Sequence, residues 1–389
     1  MKKQYDIIVV GAGPVGSTAA RITAQNGASV LMLEKDREIG IPVRCAEGVS
    51  EAGLKLVVDP QPHWIAKVIK GAYLYAPNGK RVVVEKHGIG YVLHRKLFDA
   101  DLAKMAAEKG AEVKTRAYVY DLIRDNGNVC GVKMKYQGRD YQIKSKIVIG
   151  ADGIESRVGR WAGLSTHMSL HDTESCAQIT AVNIDVENEY CHFFFSTNSA
   201  PGGYAWVFPK GNGIANIGLG ISGDYAKEKN ALLYLNEFVA ERFPDASVIN
   251  TVVGGAPCAV TLKRIVTNGC MLIGDAARQA NPVSGGGIVS GMIAAQIAAE
   301  VAVDALKKGD NSSKFLNTYE KRWHDRQGKA HERFYRIKEA IFRLTDDELN
   351  KTAESLLNTD SEKRTLLKLF TTALIKQPKL ILEAAKVFK

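Results

Sequence analysis

The 389-residue chain has no uninterrupted hydrophobic run of the roughly 18 to 20 residues needed to cross a bilayer. It lacks a basic-then-apolar leader as well, because Tyr5 to Val10 already reads as a core strand, and the expectation is a cytoplasmic protein. Cysteine is sparse and scattered. Cys45, Cys130, Cys176, Cys191, Cys258 and Cys270 contain no C-x-x-C pair, which argues against a zinc ribbon and a disulfide framework. His167 and His171 stand four apart without an acidic motif beside them, so no metal site is expected. Internal repeats, low-complexity tracts and nucleic-acid-binding motifs are missing too, and nucleic acid is not an expected partner.

What is present has the composition of an ordinary globular protein, 46% hydrophobic and 24% charged, long enough for two structural units. The formal net charge is +10. Residues 321–389 hold 16 Lys or Arg against 10 Asp or Glu, so +6 of that charge lies near the end of the chain. A solvated basic face, an anionic substrate and an anionic membrane surface all match this distribution.

The most informative segment is Tyr5 to Gly16, an apolar strand running into G-x-G-x-x-G. Gly11 permits a tight turn, Gly13 lets backbone N–H groups approach a pyrophosphate, and Gly16 lets the following helix pack on the strand. Val15 lies in that turn, and the helix N-terminus faces the phosphates. Glu34 ends the next apolar run, 23 positions after Gly11, where a carboxylate can accept hydrogen bonds from an adenosine ribose. Gly150-Ala-Asp152-Gly153 and Gly274-Asp275, the latter followed by Gly285-Gly-Gly287, repeat the same design of an apolar strand ending in glycine and a small or acidic residue.

Between these motifs the periodicity changes. Gly71 to Ala76 and Arg81 to Glu85 read as a hairpin, Arg95 to Lys109 as a helix, and Glu112 to Tyr120 as a strand. A further hairpin around Gly138 precedes the buried strand Ile147 to Ile149. From about Leu170 to Leu262 longer strands with alternating aromatics dominate, and beyond Gly287 the pattern is helical. The expected division is 1–70, 92–165 and 263–330 for a nucleotide-binding unit, 71–91 and 166–262 for a sheet-rich unit inserted in it, and 331–389 for a helical C-terminal region.

The three strand-end motifs together resemble those of the FAD-dependent oxidoreductases of the para-hydroxybenzoate hydroxylase superfamily. Within it, Tyr204-x-Trp206-x-Phe208-Pro209 followed by Gly218-x-Gly220, and the loop Pro42 to Gly48 with its central Cys45, resemble the geranylgeranyl reductases, above all the archaeal digeranylgeranylglycerophospholipid reductases. Flavin halogenases carry Trp-x-Trp-x-Ile-Pro at the related position, and Tyr204 and Phe208 argue against that chemistry. The resemblance implies an α/β fold: a Rossmann-like FAD-binding domain with an inserted β-sheet-rich substrate domain and a helical C-terminal region.

It also implies FAD contacts at Val15, Glu34, Cys45, Ala46, Gly48, Arg95 (phosphate), Val119 (adenine, through its backbone), Asp275 (ribityl chain), Gly287 and Ile288, alongside Gly11, Gly13, Gly16, Asp152 and Gly274. Tyr204, Trp206 and Phe208 alternate, so on a strand they share one face and can line a slot for a hydrocarbon; the same pattern would serve an ordinary core. The implied reaction is saturation of isoprenoid C=C bonds in a membrane ether lipid. A buried cysteine at 45 would be inert, whereas one beside the flavin could donate the proton. Only one complete dinucleotide clamp is visible, so the reductant is expected from outside: NADPH, a ferredoxin or another low-potential donor. The basic C-terminal stretch interleaves apolar residues with Lys and Arg, as a peripheral contact with an anionic inner membrane face would, or as helices over the substrate cavity would. The competing readings are a flavin monooxygenase acting on an aromatic or polyene substrate and a flavin- or lipid-binding carrier.

Overall fold

Two eight-stranded sheets organise residues 1–358, the part of the chain that the computed structural model describes; of residues 86–89 only the backbone is described. The apolar-basic segments expected from Leu366 to Phe370 and from Leu374 to Phe388 lie outside the described residues. The fold is mixed α/β, with a Rossmann-like sheet and a second, largely antiparallel sheet, as expected from the sequence.

The first sheet is parallel through Cys270–Leu272, Arg139–Gly150, Gln4–Val10, Val30–Leu33 and Glu112–Lys114, in that order. These strands are nearly continuous Val, Ile and Leu because both faces are covered; Ile7, Ile8, Leu31, Ile147, Val148 and Met271 have no solvent exposure. The helices Pro14–Gln25 and Ile288–Lys308 pack against each other. Gly291 makes that approach possible, since a Cβ there would lie 2.6 Å from Val15 Cγ2. Helix Ile288–Lys308 is long and apolar enough to cross a membrane, but 67% of its most apolar window is buried inside this protein.

One strand differs from the sequence reading. The hairpin arm after Gly138 and the buried run Ile147 to Ile149 are a single strand, Arg139–Gly150. Its first half pairs antiparallel with Asn128–Tyr136 and its second half parallel with Gln4–Val10. The polar alternation of the first half and the unbroken apolar run of the second reflect this change of surroundings, which made one element look like two. Conversely, the run from Glu112 to Tyr120 is two strands, Glu112–Lys114 and Ala117–Asp125, separated at Arg116 by a positive φ of 53°.

The second sheet runs Ser247–Pro257, Thr173–Val182, Ile214–Ser222, Tyr204–Gly211, Tyr190–Phe194, Ile65–Tyr75, Arg81–Leu93 and Gly48–Ser50. All neighbours are antiparallel except Tyr190–Phe194 with Ile65–Tyr75. One face carries Ala205, Val207, Ile217, Leu219 and Ile221 against the helix Ala231–Arg242. The other face carries Tyr204, Trp206 and Phe208. The hairpin strands are longer than expected, and the boundaries drawn at 70 and 91 fall inside Ile65–Tyr75 and Arg81–Leu93.

Candidate active site

Val10, Gly150 and Leu272 are paired in register across three parallel strands. The turns that follow them, beginning at Gly11, Ala151 and Ile273, therefore open side by side at the carboxyl edge of the sheet, where ligands of such sheets bind. Gly11 has a φ of 102°, a left-handed conformation that favours glycine. A Cβ on Gly16 would run into the Gly11 carbonyl oxygen, whereas one on Gly13 would meet nothing within 4 Å. The first two of these glycines are thus required by the fold and the third leaves a cradle in front of the helix N-terminus, with Gly13 as its N-cap.

The acidic groups complete the cradle. Glu34 Oε2 accepts the Ala12 N–H at 2.9 Å and Oε1 accepts the Asp36 N–H at 2.9 Å, which fixes the carboxylate beside the glycine turn with lone pairs to spare. The Ala117 N–H is tied to the Glu34 carbonyl at 2.8 Å, and this brings Val119 to the same end of the sheet. Asp152 Oδ2 caps the next short helix through the Val158 N–H at 2.9 Å, but its Oδ1 is buried without a protein partner, and burial raises its pKa. Gly287 leaves room for Asp275, since a Cβ there would lie 2.9 Å from Asp275 Oδ1. Burial pushes Asp275 up to about 6, against the pull of the Arg95 guanidinium. Gly274, with a φ of 66°, lies against Val15, and Ile288 opens the long helix with its first N–H groups free of intrahelical partners. A glycine cradle, an orphaned buried oxygen and two helix N-termini along one edge fit an extended dinucleotide such as FAD.

The loop carrying Cys45 joins this edge to the second sheet. Its anchor is Glu47, a residue that the sequence reading did not single out. Glu47 is 5% exposed with a φ of 73°, and it accepts the Arg95 N–H at 3.0 Å from one side and the Lys210 ammonium and Asn216 amide from the other. Lys210 also donates to the Leu93 carbonyl at 3.1 Å. Cys45 Sγ accepts the Glu47 N–H at 3.2 Å, and burial raises the thiol pKa while Arg95 opposes the shift. Arg95 grips Asp99 with two bonds of 2.7 and 2.8 Å, and this pair is buried, with side chains 12% and 5% exposed.

The aromatic face meets this loop. Trp206 pairs with Gly218 and Tyr204 with Gly220 on the adjacent strand. A Cβ on Gly218 would overlap the Trp206 ring, and one on Gly220 would lie 3.2 Å from Cys176 Sγ, so the Gly-x-Gly element seats the aromatics. Phe208 lies over Gly48, where a Cβ would stand 2.5 Å from its ring, and Ala46 packs into the same cluster. Pro209 is buried next to them, just before the strand's bulge. Phe193 meets Tyr204 and Phe208 edge-on at 5.6 and 5.4 Å, and Phe195 continues toward Leu74 and Val84. Gln178 joins the two sides: its amide donates to the Cys45 carbonyl at 2.9 Å and its oxygen accepts the Trp206 indole N–H at 3.1 Å. The alternation Glu174, Cys176, Gln178 in a strand was the available signal for it.

Comparison with known proteins agrees with this geometry. A model of the geranylgeranyl reductase catalytic domain matches residues 172–256, and one of FAD dependent oxidoreductases matches residues 6–200. Digeranylgeranylglycerophospholipid reductase 2 of Methanococcoides burtonii is 44% identical, covering 100% of this chain and 97% of its own. The digeranylgeranylglycerophospholipid reductase of Methanocella arvoryzae is 43% identical over 98% of this chain and 99% of its own. A crystal structure of a geranylgeranyl bacteriochlorophyll reductase-like protein from Thermoplasma acidophilum superposes with a TM-score of 0.94 at 35% identity, covering 99% of both chains. Likeness of that extent, running unbroken through both sheets and the loop between them, makes this chain a member of the geranylgeranyl reductase family of FAD-dependent oxidoreductases.

Proposed function

We propose that the chain binds FAD along the carboxyl edge of its parallel sheet and uses it to saturate the C=C bonds of geranylgeranyl chains in archaeal-type membrane ether lipids or their precursors. The observation that carries this reading is the continuous aromatic face Tyr204, Trp206, Phe208 and Phe193 closing on the Cys45 loop. Bound and reduced, FAD supplies the hydride that no side chain can. The aromatic face excludes water from the alkene and holds it flat. Cys45, kept as a thiol by burial, is the side chain proposed to deliver the proton. A Cys45→Ser enzyme with weaker FAD affinity but normal turnover per bound flavin would remove Cys45 from that role.

The electrons come from outside, from transiently bound NADPH, a ferredoxin or another low-potential donor. The net charge of +10 supports a peripheral site of action on the anionic inner face of the cell membrane; vesicle binding that is identical at low and high salt would exclude the electrostatic part of that contact. The reaction itself is tested by incubating the reduced holoenzyme anaerobically with a geranylgeranylated lipid, followed by mass spectrometry. A gain of two hydrogens per double bond is expected. Incorporation of oxygen in air, or an unchanged lipid, would replace this reading with a monooxygenase or a carrier.

A further inference from the structure

The strand Thr173–Val182 turns Glu174, Cys176 and Gln178 to one side of the sheet. Gln178 has its partners, but Glu174 does not. Glu174 is 6% exposed, and both of its carboxylate oxygens are buried without a hydrogen-bond partner. A charged carboxylate in that state is strongly disfavoured, so the group stands as a neutral acid. Burial lifts it to about 8, with Lys338 and His171 opposing the shift and Asp224 adding to it. The other groups facing it are held protonated: burial raises Cys176 to about 12, Cys258 well above its ordinary range, and the Tyr204 phenol likewise. Among these buried acids Glu174 is the one lifted only into the neutral range, and His171 beside it is raised above its ordinary value by its hydrogen bonds to Asp224 and Glu339.

Two features flank Glu174. Ser222 is directly opposite Glu174 in the antiparallel pair, on the same side of the sheet. Ser222, Gly202, His171, Asp224, Tyr225 and Lys338 line a cavity of about 130 Å³, large enough for ordered water. Of its lining, His171 and Asp224 are half-exposed and joined at 2.9 Å, His171 also meets Glu339 at 2.8 Å, and Lys338 is fixed by the His171 and Cys258 carbonyls at 2.9 and 3.0 Å. On the inner side, Glu174 Oε2 lies 3.3 Å from where a Cβ on Gly203 would stand, one residue before Tyr204 begins the aromatic face. The Tyr204 hydroxyl feels both Glu174 and Cys45.

We propose that Glu174 is an internal proton reservoir for alkene reduction, recharged from solvent through the cavity beneath His171 and Ser222. The inference rests on the reductase reading. Each saturated bond takes up one hydride, from the reduced cofactor, and one proton. The proton that Cys45 delivers to carbon is replaced, through water bridging the unpartnered carboxyl, from Glu174. Glu174 is left as a carboxylate until a solvent proton enters, so it is a positioning residue acting through Cys45.

Two measurements test it. In the holoenzyme without substrate, an infrared pH titration is expected to show a protonated-carboxyl stretch that is lost near pH 8 and is missing from Glu174→Gln. In turnover, Glu174→Gln is expected to lower kcat at pH 7 by at least about 10-fold with KM little changed, and to flatten the alkaline limb of the profile. Glu174→Asp should restore a limb at a shifted pH. A wild-type pH profile in Glu174→Gln, or a titration unchanged by the substitution, overturns the reservoir. Where Glu174→Gln does not fold with FAD, a folded Glu174→Asp enzyme decides: a shifted limb supports the proposal and an unshifted one overturns it. A wild-type enzyme that leaves every lipid unreduced overturns the reductase reading on which the proposal rests, whereas a missing carboxyl signal overturns the reservoir and leaves that reading intact.

Discussion

The carboxyl edge of the parallel sheet and the inner face of the antiparallel sheet build their parts of the site from opposite materials. At the edge, side chains are removed: Gly11, Gly13, Gly16, Gly274 and Gly287 expose backbone amides and allow close approach. On the face, side chains are added, and glycines serve a second purpose, with Gly218 and Gly48 bare so that Trp206 and Phe208 can lie flat against them. A recurring ligand part such as a pyrophosphate suits fixed backbone geometry, while a featureless hydrocarbon is held by shape and area. The same residue type therefore bares backbone at the edge of one sheet and seats aromatics on the face of the other.

That contrast can be broken at several places, in descending order of expected effect. Gly16→Val drives a side chain into the Gly11 carbonyl and should yield protein without FAD, read from the flavin absorbance of the purified enzyme. Lys210→Met leaves Glu47 buried with its ion pair broken and should cost about 3–5 kcal/mol in urea unfolding, an effect felt by both sheets since Glu47 contacts each. Asp275→Asn should instead stabilise the FAD-free protein. A carboxyl raised on folding from 3.8 to about 6 weakens the native state as pH rises through that interval, and the cost is fully present above it. Removing it should add about 2–3 kcal/mol at pH 7 and nothing at pH 3, while FAD binds more weakly.

Gly218→Val should cost about 1–3 kcal/mol and lower turnover while FAD is retained. This is the outcome that most sharply separates the two uses of glycine; loss of FAD here would merge them. Tyr204→Phe removes the 2.6 Å bond to the Ser284 carbonyl and should shift unfolding by only about 0.5–1.5 kcal/mol.

The edge was legible because its chemistry is written in glycine spacing, which is local: Gly11 to Gly16 and Glu34 lie within one βαβ unit, and their geometry follows from that unit alone. The face was legible in its aromatic alternation, but not in its polar supports. Glu47 reads as an ordinary loop acid; only the fold brings Lys210 and Asn216 to it across more than 160 positions. Gln178 and Glu174 were missed for the same reason, since a polar residue in a strand reads as solvent-facing until another domain covers it. Arg139–Gly150 was divided in two because its neighbours change halfway along, and hydrophobic period reports neighbours rather than strand continuity.

Glu47 has a consequence beyond stability. One carboxylate receives the backbone N–H of Arg95 from one side and Lys210 and Asn216 from the other, so on the proposed reading the flavin and lipid sites would share a component. By thermodynamic reciprocity, whatever factor a seated lipid imposes on the affinity for the flavin, the flavin must impose on the affinity for the lipid. The two ligands then need not be loaded independently, and the degree of their mutual dependence is a single coupling constant obtainable from two titrations.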